Sequence, residues 1–96
     1  MATLLNAVTA NTTGTGASHS GPCTVWVTGT MGGATVVVQC STDDVNYVRA
    51  DNISLVNPAI MTSPGVIDIN AQGTYYVRAV LTNAGASTEV TCKTTQ

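Results

Sequence analysis

The chain has 96 residues, of which three are Lys or Arg and five are Asp or Glu, giving a formal net charge of −2 at pH 7. This length corresponds to one domain, which is too small to enclose a large catalytic cleft. Charged residues make up 8% of the chain, against about 25% in an ordinary domain, and so few cations argue against nucleic-acid binding, which requires the neutralisation of several phosphates.

Threonine and valine dominate the composition, with 17 and 13 residues. β-Branched side chains at this density favour strands over helices, because their restricted χ1 suits a pleated surface. A surface made of neutral hydroxyl groups also lacks the Lys and Glu that keep proteins apart in solution. The composition therefore favours a small all-β module that packs against other protein, and it argues against an enzyme.

The three cysteines, Cys23, Cys40 and Cys92, are odd in number and have no CxxC spacing. This pattern predicts buried free thiols in a protein made in a reducing cytoplasm, with a disulfide between two of them as the alternative. The first residues lack the positive and apolar regions of a secretory signal, and no apolar run has the length of a transmembrane helix. We therefore expect no membrane partner.

Composition separates an N-terminal segment, residues 1–21, from the domain at residues 22–96. Residues 2–10 have the apolar positions of a first strand or an extended arm, whereas the small polar residues 11–21 predict a loop. We expect the apolar side chains of this segment to dock on a neighbouring subunit or on an exposed sheet edge. The alternative is an ordinary first strand of the same domain. These side chains are Leu4, Leu5 and Val8.

Residues 22–30 and 33–41 flank Met31 and Gly32, and in each range cysteine and valine occupy alternate positions. Two such alternating runs joined by a short glycine-containing segment predict a β-hairpin. One face of this hairpin is predicted to be buried, since successive side chains of a strand point to opposite faces. With the turn centred between Met31 and Gly32, the cross-strand partners on that face would be Cys23 with Cys40, Val25 with Val38, and Val27 with Val36. A turn at Gly32-Gly33 would shift these partners by two residues and leave the same face buried.

Further strands are predicted at residues 45–50, 66–70, 73–83 and 87–95, and a weak edge strand at 53–61. About seven or eight short strands at this spacing predict a single antiparallel β-sandwich, Ig-like or jelly-roll-like, with an extended N-terminal segment. The positions that share the inward parity predict its core, which is Val25, Val27, Val36, Val38, Ile67, Ile69, Tyr75, Val77, Leu81 and Val90.

The segment Ser41-Thr-Asp-Asp-Val-Asn-Tyr47 resembles a loosened Asp-box, the Ser-x-Asp-x-Gly-x-Thr-Trp hairpin of many β-proteins. In that motif the Asp side chain caps turn amides and the aromatic side chain fills the core, so a structural role is favoured. A calcium site formed by Asp43, Asp44 and Asp51 is the alternative. Calcium takes about six to eight oxygen ligands, and the sequence lacks the Dx[DN]x[DN]G loop that supplies them.

The single histidine, His19, lies in the predicted polar loop between Ser18 and Ser20. A catalytic triad needs a nucleophile and an orienting group in a geometry that immediate neighbours do not provide. We therefore expect an exposed, solvated histidine. The sequence contains no acid–base constellation, metal-ligand set or cofactor motif, so we expect no catalytic, metal-binding or cofactor-binding residues.

Four apolar or aromatic residues fall on outward faces of the predicted strands. Such side chains predict a protein interface or a sugar-stacking platform, unless a loop or the N-terminal segment covers them. The four residues are Trp26, Val37, Tyr76 and Val80.

Three motifs between Cys23 and Cys92 resemble those of a class of small tailed-bacteriophage virion proteins. The motifs are Gly29-Thr-Met-Gly-Gly-Ala-Thr-Val-Val-Val-Gln39, the Ser-x-Asp-x-x-x-aromatic-Val pattern of residues 41–48, and Gly73-Thr-Tyr-Tyr-Val-Arg-Ala79. The resemblance implies a β-sandwich that serves as a capsid decoration (cement) protein, or as a head or tail accessory protein, without catalytic residues.

The same resemblance implies a set of partners and a location. The protein would be synthesised in the host cytoplasm and bind the major capsid protein on the virion surface, together with sister copies of itself in a homo-oligomer, a trimer or a dimer. The alternative function is a carbohydrate-binding or adhesin-type module of a tail or fibre protein, with Trp26 and Tyr76 as its stacking surfaces.

Overall fold

The computed structural model describes residues 2–49, 60–70 and 73–95, and these ranges contain strands but no helix. The all-β class predicted from the β-branched composition is therefore confirmed. The strands are β1 (Ala2–Val8), β2 (Thr12–Thr13), β3 (Ala17–Ser20), β4 (Cys23–Thr30), β5 (Thr35–Ser41), β6 (Val48–Arg49), β7 (Ile60–Met61), β8 (Gly65–Ile69), β9 (Thr74–Thr82) and β10 (Glu89–Thr95).

The strands form two antiparallel sheets that pack face to face. The front sheet has the order β1-β10-β4-β8, and the back sheet has the order β2-β9-β5-β6, in which β3 also pairs with β9 and β7 with β5. Because β5 occupies one edge of β9, the short strands β2 and β3 share its other edge as two pieces of one edge strand. The predicted small antiparallel β-sandwich is confirmed.

The core lies between the two sheets and is formed by one face of each. Alternate residues along β4 and β9 are buried, as the two-residue period of a strand requires when one of its faces packs against another layer. Every residue predicted for the core is buried: Val25, Val27, Val36, Val38, Ile67, Ile69, Tyr75, Val77, Leu81 and Val90. The predicted faces of these strands are confirmed.

The predicted hairpin between residues 22–30 and 33–41 is wrong. β4 pairs with β10 and β8 in the front sheet, whereas β5 pairs with β9, β6 and β7 in the back sheet. The alternation of buried residues is the same for two paired strands and for two strands that face each other across a core. The predicted partners line the core from opposite sheets: Cys23 and Cys40, Val25 and Val38, Val27 and Val36.

A tight turn carries the chain from β4 in the front sheet to β5 in the back sheet. The Ala34 N–H donates to the Met31 carbonyl at 2.9 Å. Gly32 and Gly33 take φ values of 58° and 88°, which glycine adopts without steric cost. The buried Thr88 hydroxyl donates to the same Met31 carbonyl at 2.8 Å, so the strand connection is tied to the segment that precedes β10.

The N-terminal segment belongs to the sandwich. β1 pairs with β10 along the edge of the front sheet. Leu4 and Leu5 are 4% and 3% exposed, and Val8 packs against the same core. The expectation that these three side chains dock on a neighbouring subunit is therefore corrected in favour of an ordinary first strand, because Leu4 and Leu5 are buried in the core of their own domain and Val8 packs against it.

The polar residues 11–21 do not form the predicted free loop. β2 and β3 lie within this range and pair with β9. Edge pairing satisfies the backbone groups of a segment that has few apolar side chains to bury, so backbone hydrogen bonds order it where composition predicted a flexible connection.

The other predicted strands agree with the structure where it describes them. Of the strand predicted at residues 45–50, the described residues contain β6, and the Asp43 turn takes up the part before it. Of the edge strand predicted at residues 53–61, only β7 lies within the described residues. Three predicted strands match β8, β9 and β10 to within two residues: 66–70, 73–83 and 87–95.

Val77 lies at the centre of β9 with 0% exposure. We expect Val77→Ala to lower the free energy of unfolding by about 1–3 kcal/mol, through lost burial and a residual cavity, as measured by equilibrium denaturation. Val80→Ala is the matched control, since Val80 lies on the outer face of the same strand. Equal losses in the two variants would contradict the assignment of faces.

Candidate functional site

The four residues predicted for an interface all lie on outer faces, but not on one surface. Trp26 lies on β4, on the outer face of the front sheet, and is 46% exposed. Val37, Tyr76 and Val80 lie half-buried on β5 and β9, on the outer face of the back sheet. The predicted surface is therefore divided between opposite sides of the sandwich.

The back sheet carries an apolar stripe, formed by Ile60, Val37 and Val80. Val37 is the direct cross-strand partner of Ile60 on one side and of Val80 on the other. Side chains in such positions lie about 5 Å apart at Cβ, so the three form a continuous apolar row across β7, β5 and β9. Ile60 is 39% exposed. Accessible apolar rows of this kind are typical of protein contacts.

The charge of Arg78, which lies between Tyr76 and Val80 on β9, is held against the back sheet. The Arg78 Nε donates to Gln39 Oε1 at 2.7 Å. Its guanidinium carbon lies 3.9 Å from the centroid of the Tyr47 ring, which gives a cation–π contact. These two contacts fix the arginine beside the apolar stripe, so its charge does not extend freely into solvent.

Residues 41–47 form the turn that their Asp-box resemblance predicts. Asp43 Oδ1 accepts the Ser41 hydroxyl at 2.7 Å. The same oxygen accepts the backbone N–H groups of Val45 and Asn46 at 3.0 and 2.9 Å. These donors, above all the backbone N–H of Asn46, hold the pKa of Asp43 well below its ordinary value. The predicted structural role of Asp43 is confirmed.

The aromatic residue of this turn differs from the Asp-box expectation, because Tyr47 does not fill the core. Its hydroxyl donates to Asp44 Oδ1, and its ring lies against Arg78 on the back sheet. Gly16 lies next to the Tyr47 hydroxyl, and a Cβ atom at this position would overlap that hydroxyl. Asp51, which the calcium alternative requires, lies outside the described residues.

Trp26 borders an open groove on the front sheet. Its indole N–H donates to Thr95 Oγ1 at 3.2 Å, which fixes the orientation of the ring. Lys93 lies directly opposite Trp26 on β10, and Thr91 lies directly opposite Thr28. The groove has a volume of about 420 Å³ and is lined by these five residues. It combines an aromatic ring, three hydroxyl groups and one ammonium group.

His19 is buried, with 5% exposure, so the prediction of a solvated histidine is wrong. Its Nδ1 lies 3.0 Å from the Ala17 carbonyl oxygen, which can only accept, so Nδ1 is the donor in this contact. Its Nε2 lies 2.7 Å from Thr94 Oγ1, and its ring stacks on Tyr75 with centroids 6.2 Å apart. The contact joins β3 of the back sheet to β10 of the front sheet.

The signal for this burial is present in the sequence. Ala17 and His19 alternate with Ser18 and Ser20, and both serines are exposed. The glycines and threonines that surround this short alternation favour a loop, and for that reason the sequence predicts an exposed histidine. Since the serines point to the opposite side of β3, the structure does not bring them beside the imidazole as nucleophiles.

Cys23, Cys40 and Cys92 are buried free thiols, as predicted. Desolvation by burial raises the pKa of Cys40 and of Cys92 to about 12, and burial also raises the pKa of Cys23. The Tyr75 hydroxyl lies 3.3 Å from Cys23 Sγ and donates to the Gly21 carbonyl at 2.6 Å. Thiols with raised pKa values carry little thiolate at neutral pH, so these three act as core side chains.

Comparison with known proteins gives no match to a family model, to a curated protein or to a solved structure. Within the part of the chain that the structure describes, His, Cys, Asp and Glu side chains do not cluster as metal ligands. The described residues also contain no helix of the length and hydropathy that would cross a membrane.

We expect Asp43→Ala to lower the melting temperature at neutral pH, because the turn amides lose their shared acceptor. The folded-state pKa of Asp43 is depressed, so its stabilisation is present above the unfolded pKa of about 4 and is lost as pH falls through the folded value. The difference in melting temperature should therefore shrink as calorimetry moves from neutral pH into acid. Thr42→Ala in the same turn is the control, and a pH-independent difference for Asp43→Ala would contradict this account.

We expect the three thiols to resist a thiol reagent in the native protein and to be titrated completely after denaturation without reductant. The neutral Cys40 and Cys92 thiols stabilise the fold below pH 9.0, and this contribution is lost as pH rises towards about 12. Urea unfolding over that range should show the loss. Titration of one thiol in the denatured, unreduced protein would mean that a disulfide has formed.

Proposed function

We propose that this protein is a structural virion protein of a tailed bacteriophage, a capsid decoration protein that binds and stabilises the shell of major capsid protein. The three motifs at residues 29–39, 41–48 and 73–79 support the proposal through their resemblance to small virion proteins. The low charge of the surface supports it independently, since a neutral surface suits contact with many identical neighbours.

The observation that carries the proposal is the apolar stripe. Ile60, Val37 and Val80 align in register across the back sheet, and the one cation beside them on β9, Arg78, is tied to Gln39 and Tyr47. Protein interfaces have an apolar centre from which free charges are depleted. The stripe has this composition, and we assign it to the contact with the shell, with Tyr76 on the same face.

A protein that binds only the assembled shell stabilises it by mass action, because disassembly must release every bound copy. A folded sandwich suits this role, since a surface formed by paired strands avoids the entropy cost of ordering a flexible segment on binding. Sister copies in a trimer or dimer would present several stripes at once and raise the effective concentration of each contact.

The alternative, a carbohydrate-binding module with Trp26 and Tyr76 on one platform, is disfavoured by their positions. The two rings lie on the outer faces of different sheets, so one glycan cannot stack on both. Trp26 keeps an exposed groove of its own, and this groove is a site separate from the apolar stripe.

The test begins with purified particles of the phage that encodes the chain. We expect a copy number in fixed proportion to the capsomers and density for the sandwich on the shell. A copy number that matches the tail or its fibres would favour the tail or fibre module over the decoration protein. Absence from the particle would refute a virion role.

The contact is tested with Val37→Glu in co-sedimentation with shells that lack the protein. We expect affinity to fall at least about tenfold, because an unpaired charge buried in an interface costs about 2 kcal/mol or more. Thr3→Glu is the matched control, since it adds the same charge at an exposed position of β1 in the front sheet. Equal binding by Val37→Glu and the wild type would exclude the stripe as the contact.

A further inference from the structure

The Trp26 ring is exposed and yet held in place. Trp26 is the only tryptophan of the chain, and 46% of its surface is accessible. The hydrogen bond from its indole N–H to Thr95 Oγ1 engages the polar edge of the ring. The apolar part of the ring therefore remains available for stacking, with little conformational entropy left to lose on binding.

Two hydroxyl groups of the groove are arranged as donors. Thr95 Oγ1 accepts the Trp26 indole N–H at 3.2 Å, and Thr91 Oγ1 accepts the Ala7 backbone N–H at 3.0 Å. A hydroxyl that accepts one hydrogen bond keeps its own hydrogen for another partner. Both hydroxyls can thus donate to an oxygen-rich molecule that lies in the groove.

The groove also contains a cation whose direct sheet neighbours are uncharged. Lys93 is exposed and lies between Thr3 on β1 and Trp26 on β4. The carboxylates of the same outer face lie further from Lys93 than these neighbours: Asp68 is two strands away on β8, and Glu89 is four residues earlier on β10. The ammonium group of Lys93 therefore favours an anion in the groove.

We infer that this groove binds an anionic sugar, a hexose ring that carries a carboxylate. Its C–H groups stack on the Trp26 ring, its hydroxyl oxygens accept from Thr91 and Thr95, and its carboxylate pairs with Lys93. The volume of about 420 Å³ accommodates a sugar residue, and the open shape permits a longer polysaccharide to pass through. The site lies on the opposite side of the sandwich from the apolar stripe.

The inference is tested by titrating the protein with polygalacturonate and with its methyl-esterified form, which has the same ring without the charge. Because the chain has one tryptophan, its emission reports on the groove directly. We expect a saturable change in emission with the acidic polymer and about two- to fivefold weaker binding of the ester, the range of an exposed ion pair. No saturable response to the acidic polymer would overturn the inference.

Variants separate stacking from charge. We expect Trp26→Ala to weaken binding at least about fivefold in calorimetry, because the C–H groups of the sugar lose their stacking surface. Lys93→Gln keeps the tryptophan and should bind both polymers equally. Tyr76→Ala, on the other sheet, is the control, and melting curves of all variants verify folding. Wild-type affinity in Trp26→Ala, or unchanged discrimination in Lys93→Gln, would overturn the site.

The two proposals fail independently of each other. Val37→Glu should lose shell binding and bind polygalacturonate as the wild type does, whereas Trp26→Ala should do the reverse. If Trp26→Ala loses shell binding and the wild type shows no saturable response to polygalacturonate, the groove is a protein contact and the sugar site is refuted. If the wild type binds polygalacturonate but no shell, only the decoration role is refuted.

Discussion

Close packing between the two sheets is the interaction on which every other feature of this molecule depends. The strands β4, β5, β8, β9 and β10 each give one face to that contact, and most of the buried hydrophobic side chains among the described residues are valine, isoleucine or leucine. The His19–Thr94 hydrogen bond is one polar link within this layer, and it joins the sheets where β3 is too short to contribute much apolar area. Because the inner faces hold the fold together, the outer faces are free to vary in chemistry, and here they carry threonines, an apolar stripe and a tryptophan groove.

The faces of the strands could be predicted from the sequence, but their partners could not. Val25 and Val38 were placed in the core because alternation determines on which side of a strand a residue lies. Whether β4 and β5 pair or face each other depends on the distant strands β9 and β10, which compete for their edges. The burial of Leu5 and His19 has the same origin, since both follow from pairing with segments more than fifty residues away.

For the candidate sites, too, local features could be predicted from the sequence, whereas features that depend on strand partners could not. The Asp43 turn was predictable because all its hydrogen bonds lie within a few residues. The outward position of Trp26 and Tyr76 was also predictable, from alternation alone. Their separation onto opposite surfaces was not, because it requires the sheet to which each strand belongs. The groove beside Trp26 depends on Lys93 and Thr95 of β10, so no local pattern around Trp26 indicates it.

The order of the front sheet has a consequence for synthesis. β10 lies between β1 and β4, and it is translated after both of them and after β8. Until it leaves the ribosome, β1 has no partner in its sheet, and β4 has only β8. The nascent chain must therefore keep apolar strands apart while their central neighbour is missing, a period in which exposed strand edges promote aggregation. Few charges are present to prevent this, so the rate at which β10 is delivered should influence how much of the protein reaches its native state.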